Sequence, residues 1–400
     1  MKLLFVIGSL DSGGAEHHLV QLIPQLTSQG ITCRVYTLTH TGVLAKNLQE
    51  RGITVIQPFF STFIRKCLGK LSTPFLGVLS VISYLITLSI YRPNIIHYFL
   101  PAAYLFASPL SFFSFKSKKI MSRRSLNHYQ KKYPHISKLE HWLHKQMDYL
   151  LANSLAVAQE LIDEGSPPNR VGLIYNGVNS NQISVPSTHE RLASREKLSI
   201  PRESLCLIIV ANLIPYKGHI DLLNALADCT LPDEWVLLVV GRDNGILMNL
   251  QSLSHDLGIS NNIRWMGSLT DLTDIYRSAD IAVLPSHEEG FSNAILEAMA
   301  YSLPVVATDV GGNAEAIADG NGGIIVSSRN PHELSRAISK LANNPELREK
   351  YGHFARCRVE NEFNWEKCTL MYSDLYAHIT TTTNQLSPMC RLTSKRPNMK

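Results

Sequence analysis

Residues 278–312, SADIAVLPSHEEGFSNAILEAMAYSLPVVATDVGG, decide the fold class. Ile281, Ala282, Val283 and Leu284 form an apolar run closed by turn residues, the pattern of a buried strand. From Phe291 to Tyr301 apolar residues recur at helical spacing (Ile295, Leu296, Met299), with Ser292 or Asn293 as the cap. PVVATD reads as the next strand. Strand, acidic loop, helix and strand is the repeat of a parallel α/β sheet. Glu289 falls in the loop at the carboxyl end of the first strand, where open α/β sheets bind ligands. Glu297 lies on the helix one turn past Asn293, on the same face. Between them the backbone N–H groups near Phe291, Ser292 and Asn293 offer a seat for a phosphate. Two carboxylates flanking an anion seat suit a ligand with hydroxyls at both ends and phosphates between, such as a nucleotide sugar. A capping carboxylate beside a solvated helix glutamate is the other reading this spacing allows.

EGFSNAILEAMAYSLPVVATDVGGNAE, Glu289 to Glu315, resembles the signature EGFxxxxLEAMAxGxPVVATxxGGxxE of the retaining GT-B glycosyltransferases of glycosyltransferase family 4. The resemblance implies two Rossmann-like α/β domains with a cleft between them and a C-terminal helix crossing back to the first domain. It assigns the donor sugar to Glu289 and the donor ribose to Glu297. LCLIIVANLIPYKGHIDLLNAL (205–226) resembles the family's first strand and helix of the donor domain, where an Arg and a Lys grip the donor diphosphate. The lysine stands as Lys217; the arginine position holds Asn212, which can donate a hydrogen bond but carries no charge. Lys217 and Glu289 are thus the catalytic candidates, and Arg242 in VVGRDNG could restore a cation. The Gly13-Gly14 turn before Ala15-Glu16 resembles the family's GGAE turn facing the donor, and a plain tight turn fits it equally.

The rest of the chain repeats the alternation. LLFVIGSL, CRVYTL, TVIQPF, NIIHYFL, KKIMS, YLLANS and VGLIYNG read as strands of a first sheet. LCLIIVAN, WVLLVVG, IRWMG, IAVLPS, PVVATD and GGIIVS supply a second. Four hundred residues suit two such domains. Residues 1–180 are expected to form an N-terminal acceptor-binding domain and 181–365 a C-terminal nucleotide-sugar-binding domain. A closing helix follows over 366–380, then a disordered basic tail over 381–400.

Seven scattered cysteines with no CxxC pair argue against a disulfide framework or zinc site and fit reduced thiols. The N-terminus reads as a first strand, not a secretory signal. The net charge of +5 conceals an asymmetry: residues 1–180 sum to +10 and 181–380 to −9. No acidic residue occurs between Glu50 and Glu140, whereas thirteen basic ones do. Arg65-Lys66, Lys118-Lys119, Arg123-Arg124 and Lys131-Lys132 stand there among Phe59, Phe60, Phe63, Phe112, Phe113 and Phe115. That composition suits an anionic membrane surface. No nucleic-acid motif accompanies it. Residues 71–91 lack charge but include Pro74 and Gly77, and a strand-like run follows. A helix packed on the sheet with one face dipping into the interface is expected, not a span.

His97 ends a strand where many family members carry His-x-His, but here Phe99 fills the second place. His97 could touch donor sugar or acceptor, or satisfy a buried hydrogen bond. Arg123 and Arg124, after KKIMS, are expected to face the cleft and hold a phosphate-bearing acceptor or the membrane. No carboxylate pair suits a divalent ion, Asp271 and Asp274 reading as caps, so neither metal nor cofactor is expected. The resulting expectation is a cytoplasmic enzyme, peripheral on the inner face of the membrane. It would move a sugar from a UDP- or GDP-linked donor to a saccharide or lipid-linked acceptor, in envelope polysaccharide or glycolipid synthesis. The rivals are a nucleotide-sugar epimerase on a similar fold and a non-catalytic nucleotide-sugar-binding protein.

Overall fold

Among the described residues the thirteen apolar runs become thirteen strands in two wholly parallel sheets. The structure, a computed structural model, describes residues 1–11, 13–58, 73–114, 116–128, 130, 133–381 and 390. The aromatic and basic residues of 59–72, Phe115, Lys131, Lys132 and the tail beyond 381, Cys390 apart, lie outside the described residues.

The chain divides into two units, Met1–Tyr175 with Cys368–Lys400, and Asn176–Lys367. The first holds β1 (Lys2–Ile7), β2 (Thr32–Thr37), β3 (Thr54–Ile56), β4 (Ile95–Phe99), β5 (Lys118–Arg123), β6 (Tyr149–Ala152) and β7 (Val171–Leu173). Their order is 3-2-1-4-5-6-7. Its helices are α1 (Gly14–Ser28), α2 (Ala45–Gln49), α3 (Thr73–Tyr91), α4 (Pro101–Ala107), α5 (Pro134–His144) and α6 (Leu155–Asp163). The connections from β3 to β4, β4 to β5 and β5 to β6 step the same way across the sheet. Right-handed crossovers therefore put α3, α4 and α5 on one face. Tyr84 and Leu88 of α3, Tyr104 of α4 and Leu143 of α5 accordingly share one buried cluster with Leu4, Val6 and Tyr98 of the strands.

In the second unit β8 (Leu205–Val210), β9 (Trp235–Val240), β10 (Ile263–Gly267), β11 (Ile281–Leu284), β12 (Val305–Thr308) and β13 (Gly323–Val326) run in the order 10-9-8-11-12-13. The helices are α7 (Thr188–Lys197), α8 (His219–Ala227), α9 (Leu247–Asp256), α10 (Thr273–Ser278), α11 (Asn293–Ala300), α12 (Asn313–Ile317), α13 (Pro331–Ala342) and α14 (Pro345–Glu362). The strand order reverses between β8 and β11, the switch point at whose carboxyl edge doubly wound sheets bind ligands.

A last helix, α15 (Trp365–Thr381), returns the chain to the first unit from Cys368 onward. Residues 73–91 form α3, a helix packed on the sheet: Tyr91 donates to Thr32 O at 2.7 Å and its ring lies under the Arg34 guanidinium. Among the described residues no helix is long and apolar enough to cross a membrane.

Candidate active site

The loops leaving β8 and β11 flank the switch point, and they carry Lys217 and Glu289. Two glycines force the approach. Gly218, at φ +71°, has no room for a side chain, since a Cβ would stand 1.9 Å from the carbonyl oxygen of Pro285 at the end of β11. Gly311, at φ +55°, packs on the other side, where a Cβ would lie 2.0 Å from the Glu289 carbonyl. The neighbouring Gly312 N–H donates to Gly290 O at 2.8 Å. Pinned between these contacts, Glu289 Oε1 accepts from Lys217 Nζ at 2.5 Å and from Ser286 Oγ at 2.8 Å. The Lys217 side chain is 19% and the Glu289 side chain 10% exposed, so the pair is largely withdrawn from water. A second pair ties the same loops: His287 Nε2 meets Asp221 Oδ2 at 2.7 Å, and the His287 N–H donates to Tyr216 O at 2.7 Å.

Ser292 stands at the N-cap position of α11, and Asn293 opens the helix. The first N–H groups of any α-helix lack partners within it, and they carry the positive end of its dipole. Asn176 clamps this turn, its Nδ2 donating to Phe291 O at 2.9 Å and to Asn293 Oδ1 at 2.6 Å. The Phe291 ring is buried 5.3 Å from that of Phe363, so only its backbone can serve a ligand. Glu297, one turn on, accepts from the Tyr276 hydroxyl through Oε2 at 2.8 Å, and Tyr276 stacks on Tyr301. Burial pushes the Glu297 carboxyl above the usual carboxylate range, with the Tyr276 hydrogen bond opposing it. At the end of β8, Asn212 Oδ1 accepts from the Arg242 N–H at 3.1 Å, which leaves the Asn212 amide hydrogens as donors. Both Asn212 and Arg242 are exposed.

In the first unit the structure corrects two assignments. His97 is fully buried; Nδ1 meets the Tyr376 hydroxyl and Nε2 the Ser122 hydroxyl, each at 2.7 Å. Burial, with the Arg124 charge nearby, holds its imidazole well below the usual value and so neutral. With both nitrogens engaged and no surface, His97 is a core histidine and not a sugar ligand. Arg123 does not face a ligand either. It is 1% exposed and donates to Glu164 at 2.6 and 2.8 Å and to Glu140 at 2.6 Å. Arg124, the next residue, is half-buried at the carboxyl end of β5, 3.5 Å from the Tyr372 hydroxyl. Gly14 is the exposed first residue of α1, beside Gly13, where a Cβ would meet Glu16 Oε2 at 2.3 Å.

Leu272, not an aspartate, stands at the N-cap of α10; Asp271, one residue before it, accepts from the Thr273 N–H, and Asp274 pairs with Lys197 and Ser194. Among the described residues one group of metal-ligand type converges, Glu140, His144 and Glu164, and the Arg123 guanidinium lies among them as its cation. Ser286, Asn176, Tyr276 and the His287–Asp221 pair escaped the sequence reading. Ser286, three residues before Glu289 in the same loop, could have been found there. Tyr276 and Asn176 lie 21 and 117 residues from their partners and gave no local signal.

Two family models match the chain in succession: Glycosyltransferase Family 4 over residues 12–182, and Glycosyl transferases group 1 over residues 190–358. A D-inositol 3-phosphate glycosyltransferase of Streptomyces bingchenggensis is 33% identical over 242 residues, covering 58% of this chain and 52% of that protein. One from Streptosporangium roseum is 34% identical over 242 residues, covering 58% and 55%. The chain spans about half the length of the curated relatives it matches. HepE of Anabaena, crystallised with UDP, superposes with a TM-score of 0.81 at 22% identity, over 95% of this chain and all of that one. WaaG, a glycosyltransferase involved in lipopolysaccharide biosynthesis, gives 0.72 at 18%, over 93% and 98%. Identities that low speak to the fold alone. Both sheets and both halves of the sequence agree: the chain has the GT-B fold and belongs to glycosyltransferase family 4.

Proposed function

We propose that this enzyme transfers a sugar from a nucleotide-sugar donor, UDP- or GDP-linked, to a saccharide or lipid-linked acceptor with retention of anomeric configuration. The donor belongs to the second unit. Glu297 holds the ribose through Oε1, leaving Oε2 on Tyr276. The α11 amides at Ser292 and Asn293, the Asn212 amide and Lys217 take the diphosphate, with Arg242 as a further cation. Glu289 holds the sugar hydroxyls.

The Lys217–Glu289 contact at the switch point carries this reading, because it puts a cation for the leaving diphosphate against a carboxylate for the sugar. Preorganised charge of this kind lowers the barrier without reorganisation during the reaction. An ion-paired carboxylate is a weak nucleophile, which argues against a glycosyl–Glu289 intermediate. No metal is assigned a part, since Lys217 and the amides supply the positive field. The first unit is assigned to the acceptor, with Arg124 at its carboxyl edge as the phosphate-binding candidate; Gly14 is kept as a donor-binding candidate on its resemblance to the family's GGAE turn. The proposed setting is the cytoplasmic face of the membrane, in envelope polysaccharide or glycolipid synthesis; the D-inositol 3-phosphate glycosyltransferases make a phosphorylated polyol the first acceptor to try beside saccharides and lipid-linked saccharides.

Thermal unfolding with UDP, GDP, ADP and their sugars, beside Glu297→Ala, tests the donor site. A ligand at 100 times its Kd adds about 2.7 kcal/mol. Stabilisation by one nucleotide family, absent in the variant, is expected; no stabilisation by any of them would overturn the assignment.

A further inference from the structure

We propose that the outer face of α3 and α5 is the surface by which the first unit docks on an anionic lipid bilayer. The inference rests on the membrane setting proposed above and names the face that makes it.

Helix α3 carries no charged residue over nineteen positions. Its inner side, Tyr84, Leu88 and Tyr91, is buried on the sheet. Its outer side presents Val78, Ile82, Ile86 and Ile90, all exposed, with Ile90 at 73%. Four-residue spacing sets these side chains in one row along the helix. A water-facing helix surface ordinarily carries polar or charged residues there. On the same face of the sheet, α5 exposes Ile136, Leu139 and Trp142. The turn Pro109–Phe113 joins the two, Phe112 meeting the Trp142 ring edge-on at 6.0 Å. A half-exposed tryptophan among aliphatics suits the interfacial zone of a bilayer.

Charge selects the occupant. The sequence has no acid from Arg51 to Leu139, and Glu140, the first one after, is buried against Arg123. Arg92, Lys116, Lys138 and Lys145 are all exposed around the apolar rows. The face therefore offers hydrocarbon edged by cations with no exposed carboxylate between Val78 and Lys145. A second copy of the same face would be repelled by its own charge. An anionic bilayer matches both components, since lipid tails accept the aliphatic row and headgroups the cations.

The test is co-sedimentation of the full chain with vesicles of equimolar phosphatidylglycerol and phosphatidylcholine, against phosphatidylcholine alone. Binding to the anionic vesicles is expected, weakened at high salt, and reduced at least tenfold by Ile82→Asp/Ile86→Asp. Both positions are exposed, and retained thermal stabilisation by nucleotide shows that the variant folds. Fluorescence quenching by brominated anionic lipid should disappear in Trp142→Phe. Unimpaired binding by the double variant overturns the assignment of this face while leaving the membrane setting intact. Equal binding to neutral vesicles overturns the role of charge. Absence of any vesicle binding removes both, and self-association abolished by the double variant would make the face an interface between copies. Donor transfer is read separately, so none of these outcomes bears on the glycosyltransferase assignment.

Discussion

Lys217 Nζ donates to Glu289 Oε1 across 72 residues of sequence, from a loop after β8 to a loop after β11. The lysine and the carboxylate thus hold each other in place at the switch point. Lys217→Ala should lower kcat by about 10²-fold or more, the usual cost of removing a preorganised transition-state donor. Nucleotide release measured with a competent acceptor checks this, and unchanged turnover would refute the role.

Gly218 sets how close that lysine comes. Gly218→Ala adds a Cβ 1.9 Å from Pro285 O at a positive φ, so the Pro215–Lys217 turn must shift. A misplacement near 1 Å can cost about 10²-fold in rate, and the strained backbone about 1–3 kcal/mol. Loss of kcat with donor binding largely kept is expected from kinetics and calorimetry together. A variant with parental kcat would show that the turn is not what positions Lys217.

Glu297 carries a stability cost whose sign can be read by pH. Its carboxyl is raised in the folded protein, first by burial, so folding favours the protonated form. That contribution is fully present below the unfolded value of about 4.3 and is lost as pH rises through the higher folded value. Glu297→Gln should therefore melt at or above the parent at pH 7, with the difference shrinking toward pH 4. Nucleotide stabilisation should be lost at the same time. A variant less stable than the parent at pH 7 would contradict the burial argument.

Arg123 should behave as a structural cation. Removing it in Arg123→Met leaves the Glu140 and Glu164 carboxylates buried without their partner, which costs about 3–5 kcal/mol. Burial pushes the Glu164 carboxyl up, yet hydrogen bonds from His144 and Arg123 outweigh it and hold it well below the usual range. A depressed carboxyl stabilises above its unfolded pKa and loses that contribution as pH falls through its folded value. The deficit of Arg123→Met should therefore be largest near neutrality and narrow in acid. Denaturant titration across pH tests this, and a deficit that does not vary with pH would argue against it.

What the sequence shows and hides follows from distance along the chain. Strands β8 and β11 announce themselves as apolar runs, and the helix cap at Ser292–Asn293 and both glutamates fall within one short window. Arg123 and Arg124 are different. At a strand end consecutive side chains point to opposite faces. One arginine of the pair enters the core toward Glu140 and Glu164 while its neighbour does not, and which one is set by a register invisible in RR. His97 is hidden for a related reason: its two partners lie 25 and 279 residues away, so its hydrogen bonds could not be counted before the fold was known.

The longer of those separations bears on the order in which the protein is made. Tyr376 closes over His97 and Phe5, so the first unit lacks part of its interior until the last helix emerges from the ribosome. At about 5–20 residues per second, 279 residues take roughly 15–55 s. The second unit, contiguous from Asn176 to Lys367, is complete before the first can close. The half of the chain translated first is thus the half finished last, and through that interval its unclosed apolar surface is a natural substrate for chaperones.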